Sequence, residues 1–459
     1  MQYKEINLEL FDYKRDGEKE SFRLRVTTPL RKEQSIESAY SVCFGSELRL
    51  RLRKLELGTL DKTGEMSELI KLGRQLGQLL FPGDLSQHLY YCLNEVGNEN
   101  GLRIQLKTAS FVLANIPWEY AWVEPLDSSP VSGFLGLNRR ISLVRYEVLS
   151  SPLSPLRPVP NARPRLAALL ADPGPPDYET LRLEVERQKM EKALENLTRA
   201  DAARTPYLDY KFYNEVTITD LENVADEDVH VLHFAGHGMF QAEEGEAFKS
   251  ISGSGHIVIF DDDKNPRKYS VESLAQTLNG SAVRLAVLGA CETGRRNNEC
   301  AWSGIAPALA RVNIPAIVAM QYKIKDSNAI DFSRRFYKNL AEHHSIDMAV
   351  TAGRLAVKGR NTDDDRDWGV PVLYLRAQEN DGVIFPPEEA SPVTRRDNYQ
   401  SEVLGNAGVV LLDALATLGE RMLDRRRQPP ATMKRCANCG VGNPAEANFC
   451  MNCREQFAK

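Results

Sequence analysis

Five short and almost wholly apolar runs constrain the fold of this chain most strongly, at positions 166–170, 229–235, 285–289, 314–320 and 370–375. Runs this uniform lack the polar alternation of a half-exposed strand and suit strands buried on both faces, as in the interior of a parallel sheet. Helical patterns near 179–199, 270–278, 303–311, 327–342 and 346–357 are interleaved with them, and a further strand is expected at 257–260. That alternation is the order of a doubly wound α/β sheet with helices on both faces.

In such sheets, chemistry collects beyond the carboxyl ends of the strands. His237 follows Val231-Leu232-His233-Phe234-Ala235-Gly236, and Cys291 follows Leu285-Ala286-Val287-Leu288-Gly289-Ala290, 54 residues further on. A thiol is mostly protonated at neutral pH, so a neighbouring imidazole must favour the thiolate or take its proton during attack. His237 suits that task and the later protonation of a departing amine. The oxyanion formed on attack needs fixed donors, which backbone N–H groups in glycine-rich turns supply. A buried structural cysteine and a satisfied loop histidine are the plainer alternative. Agreement of the two motifs in residue type, context and separation favours catalysis.

These motifs resemble the CHAT family, a branch of the caspase-like cysteine peptidases that also includes relatives of separase. Ile116-Pro117-Trp118-Glu119, Phe336-Tyr337-Lys338-Asn339-Leu340 and Trp368-Gly369-Val370-Pro371 fit the same family, so the likeness runs from near residue 3 to about residue 385. The resemblance implies a caspase-like catalytic half at 161–385, preceded by an α+β, pseudo-caspase-like half at 1–160 that acts as support. It implies a dyad of Cys291 and His237, with backbone oxyanion donors at Gly238 and Cys291. It also implies a role for Asp326, because Gln321-Tyr322-Lys323-Ile324-Lys325-Asp326 is similar to the segment whose aspartate faces the primary specificity pocket of separase-like enzymes. A carboxylate there selects Arg or Lys by charge-assisted pairing. Gln321 stands where the family usually has Trp, which reshapes the pocket wall. The other reading of Asp326 is a cap for the helix expected from 327. Bacterial relatives use such peptidases in defence or signalling, which implies a protein substrate encoded nearby.

The remaining histidines carry less. His233 shares a strand face with His237 and His230 opposes them, so His233 either orients the imidazole or simply packs and hydrogen-bonds. Glu119, beside Trp118, reads as a capping carboxylate next to an aromatic core residue. The acidic runs at 261–263 and 363–365 lack the ligand spacing of a calcium-binding EF-hand loop and read as solvated turns.

With 459 residues, 26% of them charged, and a net charge of −5, the chain is long enough for two or three domains and has no electrostatic footprint for nucleic acid. The start, Met1-Gln2-Tyr3-Lys4-Glu5, lacks the basic-then-apolar order of a secretory signal, and no run of about 18 apolar residues occurs. A cytoplasmic protein without a membrane span is expected. Eight cysteines fit that placement, since four cluster and Cys43, Cys92, Cys291 and Cys300 are scattered.

The amino-terminal residues 6–10 and 22–26 alternate as a hairpin does, helices are expected at 47–57 and 65–80, and strands at 102–106 and 140–145. A Pro- and Ser-rich connection at 150–164 separates the two halves. From 386 the composition becomes that of a linker and a helix-like stretch, to 433. Cys436-Ala437-Asn438-Cys439-Gly440 and Cys450-Met451-Asn452-Cys453 then give the paired spacing of a tetrahedral zinc site. Residues 434–459 resemble a zinc ribbon. They are too few to bury a core, so structural zinc must supply their folding free energy.

The function expected is a cysteine endopeptidase acting on a protein and regulated by a partner through the carboxyl-terminal appendage. The alternatives are a non-catalytic adaptor that recruits proteins through the ribbon, and a nucleic-acid sensor using Lys434, Arg435 and the upstream arginines.

Overall fold

The first two strands, β1 (Tyr3–Asp16) and β2 (Lys19–Thr27), form the antiparallel hairpin expected from their alternation, with Leu8 opposite Val26 and Leu10 opposite Leu24. Ile6, Leu8, Leu10, Phe22 and Leu24 are buried, so one face of the pleat meets the core. Next come β3 (Ala39–Phe44), α1 (Ser46–Leu57), α2 (Glu68–Leu80), α3 (Leu85–Glu95), β4 (Gly101–Thr108), α4 (Phe111–Ala114), β5 (Trp122–Val123), β6 (Gly133–Phe134) and β7 (Ile141–Arg145). The following stretch runs β8 (Arg165–Ala171), α5 (Leu183–Glu195), β9 (Asp209–Asn214), α6 (Ile218–Asp226), β10 (Val231–Gly236), β11 (Gly238–Ala242), β12 (Gly253–Phe260) and β13 (Pro266–Ser270). It continues with α7 (Val271–Leu278), β14 (Leu285–Gly289), α8 (Trp302–Arg311), β15 (Ala316–Met320), α9 (Asp326–Ala341), α10 (Ile346–Lys358) and β16 (Pro371–Leu375). This computed structural model describes residues 2–28, 39–60, 67–124, 133–146, 159, 163–178, 180–195, 197, 207–242, 253–289, 302–322, 324–360, 366–376, 382–385, 433–435 and 442–444. The chain divides into two units, Met1–Glu388 and Glu389–Lys459.

Eleven strands form one mixed sheet in the order β3-β2-β1-β4-β7-β16-β15-β14-β10-β8-β9. Successive residues of the central strands feed two different cores, as burial on both faces requires. Leu285 and Val287 of β14, with Ala316 and Val318 of β15, join the core shared with α5, α9 and α10. Ala286, Leu288, Ile317 and Ala319 join the core shared with α6, α7 and α8. The sheet is therefore covered by helices on both sides, and each fully buried Leu or Val contributes about 1.5–3 kcal/mol.

Local sequence explains where several helices begin. Ser67, Ser270 and Ser345 accept hydrogen bonds from the first-turn amides of α2, α7 and α10, and Thr217 with Asp220 forms a capping box on α6. Buried charge ties helix to sheet. Arg103 of β4 donates to both carboxylate oxygens of Asp347 on α10 at 2.9 and 2.6 Å, and Ser142 of β7 donates to the same carboxylate at 2.6 Å.

Three features differ from the sequence expectation. The strand expected at 257–260 is β12, which pairs with β11 and β13 in a separate antiparallel sheet. Apolarity signals burial but does not choose a pairing partner. β16 lies antiparallel to β15, because the two successive helices α9 and α10 bring the chain back to the end of the sheet where β15 stops, so that Pro371 pairs with Met320. Glu119 caps no helix: it sits fully buried in a 3-10 turn, Trp118–Tyr120, and pairs with Arg145 of β7. In the second unit, β17 (Met433–Arg435) and β18 (Gly442–Pro444) form an antiparallel hairpin. Among the described residues, no helix is long and apolar enough to cross a membrane.

Candidate active site

Strands β15, β14, β10 and β8 are adjacent and mutually parallel, so their carboxyl ends lie along one edge of the sheet. The residues leaving that edge include Asp172 directly after β8 and His237 directly after β10. Cys291 follows β14 by two positions and lies outside the described residues. Asp326 follows β15 as the first residue of α9.

Small residues at the strand ends let this edge close up. A Cβ on Gly236 would stand 2.8 Å from the carbonyl oxygen of Ala171 and 2.7 Å from the Phe234 ring, so only glycine allows β10 to end against β8. His237 is 2% exposed, and its carbonyl accepts from Val258 N at 2.9 Å, which anchors it to β12. Gly238 is buried and begins β11 opposite Ile257.

The loop after β8 supplies two neighbours of His237 that sequence reasoning passed over. Asp172 Oδ1 is 3.6 Å from His237 Nε2, and the Tyr178 ring lies 5.1 Å from the imidazole, centroid to centroid, tilted by 40°. The sequence shows only that a carboxylate directly follows an apolar strand; that this strand neighbours the histidine's own is given by the sheet order. Burial raises the Tyr178 hydroxyl pKa above its ordinary value, with the Asp177 charge adding to it.

The other two histidines of the segment have partners elsewhere. His233 Nδ1 is 2.8 Å from the Tyr337 hydroxyl of α9, and burial lowers the His233 pKa to about 4. His230 accepts from Arg165 N at 3.1 Å through Nδ1, and burial, reinforced by the nearby Arg284 charge, lowers its pKa to about 4 as well. Both are neutral structural groups near pH 7.

Helix α9 begins at Asp326, one residue earlier than the periodicity suggests, with Lys325 at the N-cap position and no side-chain cap from it. Asp367 reaches the start of this helix from across the fold. Its Oδ2 accepts from Lys325 N at 2.9 Å and from Asn328 Nδ2 at 2.8 Å. Gln321, at the end of β15, is buried, donating from Nε2 to Asn115 O at 2.6 Å and from its backbone amide to Val370 O at 2.9 Å.

Cys436, Cys439, Cys450 and Cys453 lie outside the described residues. The hairpin of β17 and β18, pairing Arg435 with Gly442, brackets the segment that contains Cys436 and Cys439. Among the described residues no cluster of three or more His, Cys, Asp or Glu is arranged to hold a metal. Asp261 spends both carboxylate oxygens on Asn265 in a tight turn, and 363–365 lies outside the described residues.

The family described as CHAT domain matches residues 71–382 of the chain. No curated protein matches it in sequence. Similar solved structures include the Saccharomyces cerevisiae separase–securin complex, at 9% identity and a TM-score of 0.45, covering 81% of this chain and 30% of that one. Another is the Arg-specific cysteine proteinase gingipain R, at 12% identity and a TM-score of 0.41, covering 69% of this chain and 71% of that one. A third is the complex of Porphyromonas gingivalis RgpB pro- and mature domains, at 10% identity and a TM-score of 0.38, with 68% and 72% covered. The chain thus spans less than a third of the separase chain.

Proposed function

The chain belongs to the CHAT domain family, matched over residues 71–382, and from that premise we propose that it is a cysteine endopeptidase with Cys291 as nucleophile and His237 as its base. The observation that carries this reading is the convergence of strand ends. His237 is buried at the carboxyl end of β10, and the adjacent parallel strand β14 ends two residues before Cys291.

In the proposed reaction the imidazole takes the Cys291 proton as Sγ attacks the scissile carbonyl carbon. The resulting oxyanion accepts from the backbone N–H groups of Gly238 and Cys291. Collapse breaks the C–N bond, and the imidazolium returns the proton to the leaving amine. Water, deprotonated by His237, then attacks the thioester and releases the acid and the thiol.

Asp326 is the proposed selector of Arg or Lys in the substrate. One observation supports that role over capping: Asp326 lies past the N-cap position of α9. Cys436, Cys439, Cys450 and Cys453 would hold one structural zinc, which supplies folding free energy to the terminal segment. The hairpin bracketing the first cysteine pair supports that reading. The appendage would bind a regulatory partner.

Covalent capture by a peptide carrying an electrophile after Arg or Lys tests the enzyme reading. Labelling at Cys291, lost in His237→Ala, is expected. A full-length protein that is never labelled at Cys291 is an adaptor instead.

A further inference from the structure

The two carboxylate oxygens of Asp172 have different surroundings. Oδ2 accepts from Leu181 N at 2.9 Å and so ties the start of its loop to the end. Oδ1 is buried, takes no hydrogen bond among the described residues, and stands 3.6 Å from His237 Nε2. The side chains of Asp172 and His237 are 19% and 3% exposed, so this is a largely desolvated pair rather than a surface contact. A buried carboxylate oxygen without a donor is costly, and the group it faces is the one that supplies a proton to share. The contact is somewhat longer than a hydrogen bond, as catalytic contacts commonly are before substrate binds.

The loop is built to hold this position. Pro173, Pro175 and Pro176 each fix a backbone φ, and Gly174 supplies the left-handed turn with φ of +65°. Tyr178 N donates to Gly174 O at 3.1 Å, which brings the Tyr178 ring against the imidazole.

We propose that Asp172 is a positioning residue for His237. It holds the tautomer protonated at Nε2, which leaves Nδ1 to meet the Cys291 thiol, and it stabilises the imidazolium that forms. When Sγ loses its proton, the proton moves to Nδ1 and the positive charge spreads over the ring. The Nε2–H bond stays intact and donates to Asp172 Oδ1, so the carboxylate remains ionised throughout. This inference rests on the dyad proposed above.

The test is the rate at which iodoacetamide alkylates each cysteine of the full-length protein near pH 7, read by mass spectrometry. Cys43, exposed on β3, is the internal reference. Wild-type Cys291 is expected to react faster than Cys43. Asp172→Asn keeps an acceptor for Leu181 N but removes the charge, and is expected to slow Cys291 by about tenfold or more, the effect of removing an opposite charge that moves a neighbouring pKa by about 1–3. Asp172→Glu is expected to restore much of the rate, and Cys43 to be unaffected in both variants. If Asp172→Asn leaves Cys291 as reactive as wild type while His237→Ala slows it, Asp172 has no positioning role and the dyad stands. If neither variant changes Cys291, which then reacts no faster than Cys43, the dyad falls and this inference with it.

Discussion

Replacing Glu119 by Gln removes one negative charge from a place where two buried cations depend on it. Glu119 is fully buried and receives Arg145 Nη2 at 2.8 Å and Nε at 3.1 Å. Arg145 spends its remaining contacts on Ala114 O at 2.6 Å and Ile116 O at 2.9 Å. Burial pulls the Arg145 guanidinium pKa down, yet the Glu119 charge and hydrogen bonds outweigh it and hold the group above its ordinary value. Arg354 is also buried and donates to Pro371 O at 2.6 Å; burial lowers its pKa, the Glu119 charge works against that lowering, and the Arg145 charge adds to it. Breaking a buried pair by removing one partner costs about 3–5 kcal/mol. The second guanidinium puts Glu119→Gln in the upper part of that range. Unfolding entropy of about 2.1 cal/mol/K per residue, taken over the Met1–Glu388 unit, converts this to a fall in Tm of roughly 5 °C. Urea denaturation followed by tryptophan fluorescence reports it directly, since Trp118 is buried beside Glu119. The double variant Glu119→Gln/Arg145→Met is expected to be more stable than Glu119→Gln alone, because it removes the orphaned charge. A loss below about 1 kcal/mol for Glu119→Gln, or strictly additive effects in the double variant, refutes this reasoning.

Because His233 is held neutral with its pKa near 4 against an ordinary 6.5, the unfolded chain binds the extra proton first as pH falls. Its contribution, on the order of 3 kcal/mol, is present above pH 6.5 and lost between about 6.5 and 4, so His233→Gln should flatten that part of a stability–pH curve. An unchanged curve speaks against it. Chelation is expected to unfold residues from about 430 onward while the transition of the Met1–Glu388 unit stays in place. Metal analysis that finds no zinc, or a Cys439→Ser variant whose whole chain melts in one step, contradicts that picture. Asp326→Asn is expected to relax a preference for Arg or Lys before the cleaved bond by roughly tenfold or more in peptide-library profiling. A wild-type enzyme that cleaves after acidic or apolar residues removes Asp326 from the pocket.

The central sheet was legible because strands buried on both faces cannot hide their composition. β8, β10, β14, β15 and β16 were each visible as apolar runs. β9, the edge strand Asp209–Asn214, was not, since an edge strand that alternates Asp, Lys and Asn with aromatic residues reads as a polar loop. The pairing of β12 outside the main sheet was equally hidden, because periodicity encodes burial and not partners. His237 could be found from its place after a strand. Asp172 could be found only once strand order was known, as β8 and β10 are separated by some 60 residues of sequence but hydrogen-bonded in space. Asp367 escaped for the same reason, since it serves a helix terminus about 40 residues away.

The most direct test of the endopeptidase reading is mass spectrometry of new protein amino termini in cells carrying either the native chain or Cys291→Ala at equal abundance. The account predicts discrete cleavage products with the native chain that vanish with Cys291→Ala. The same products persisting with Cys291→Ala contradict it.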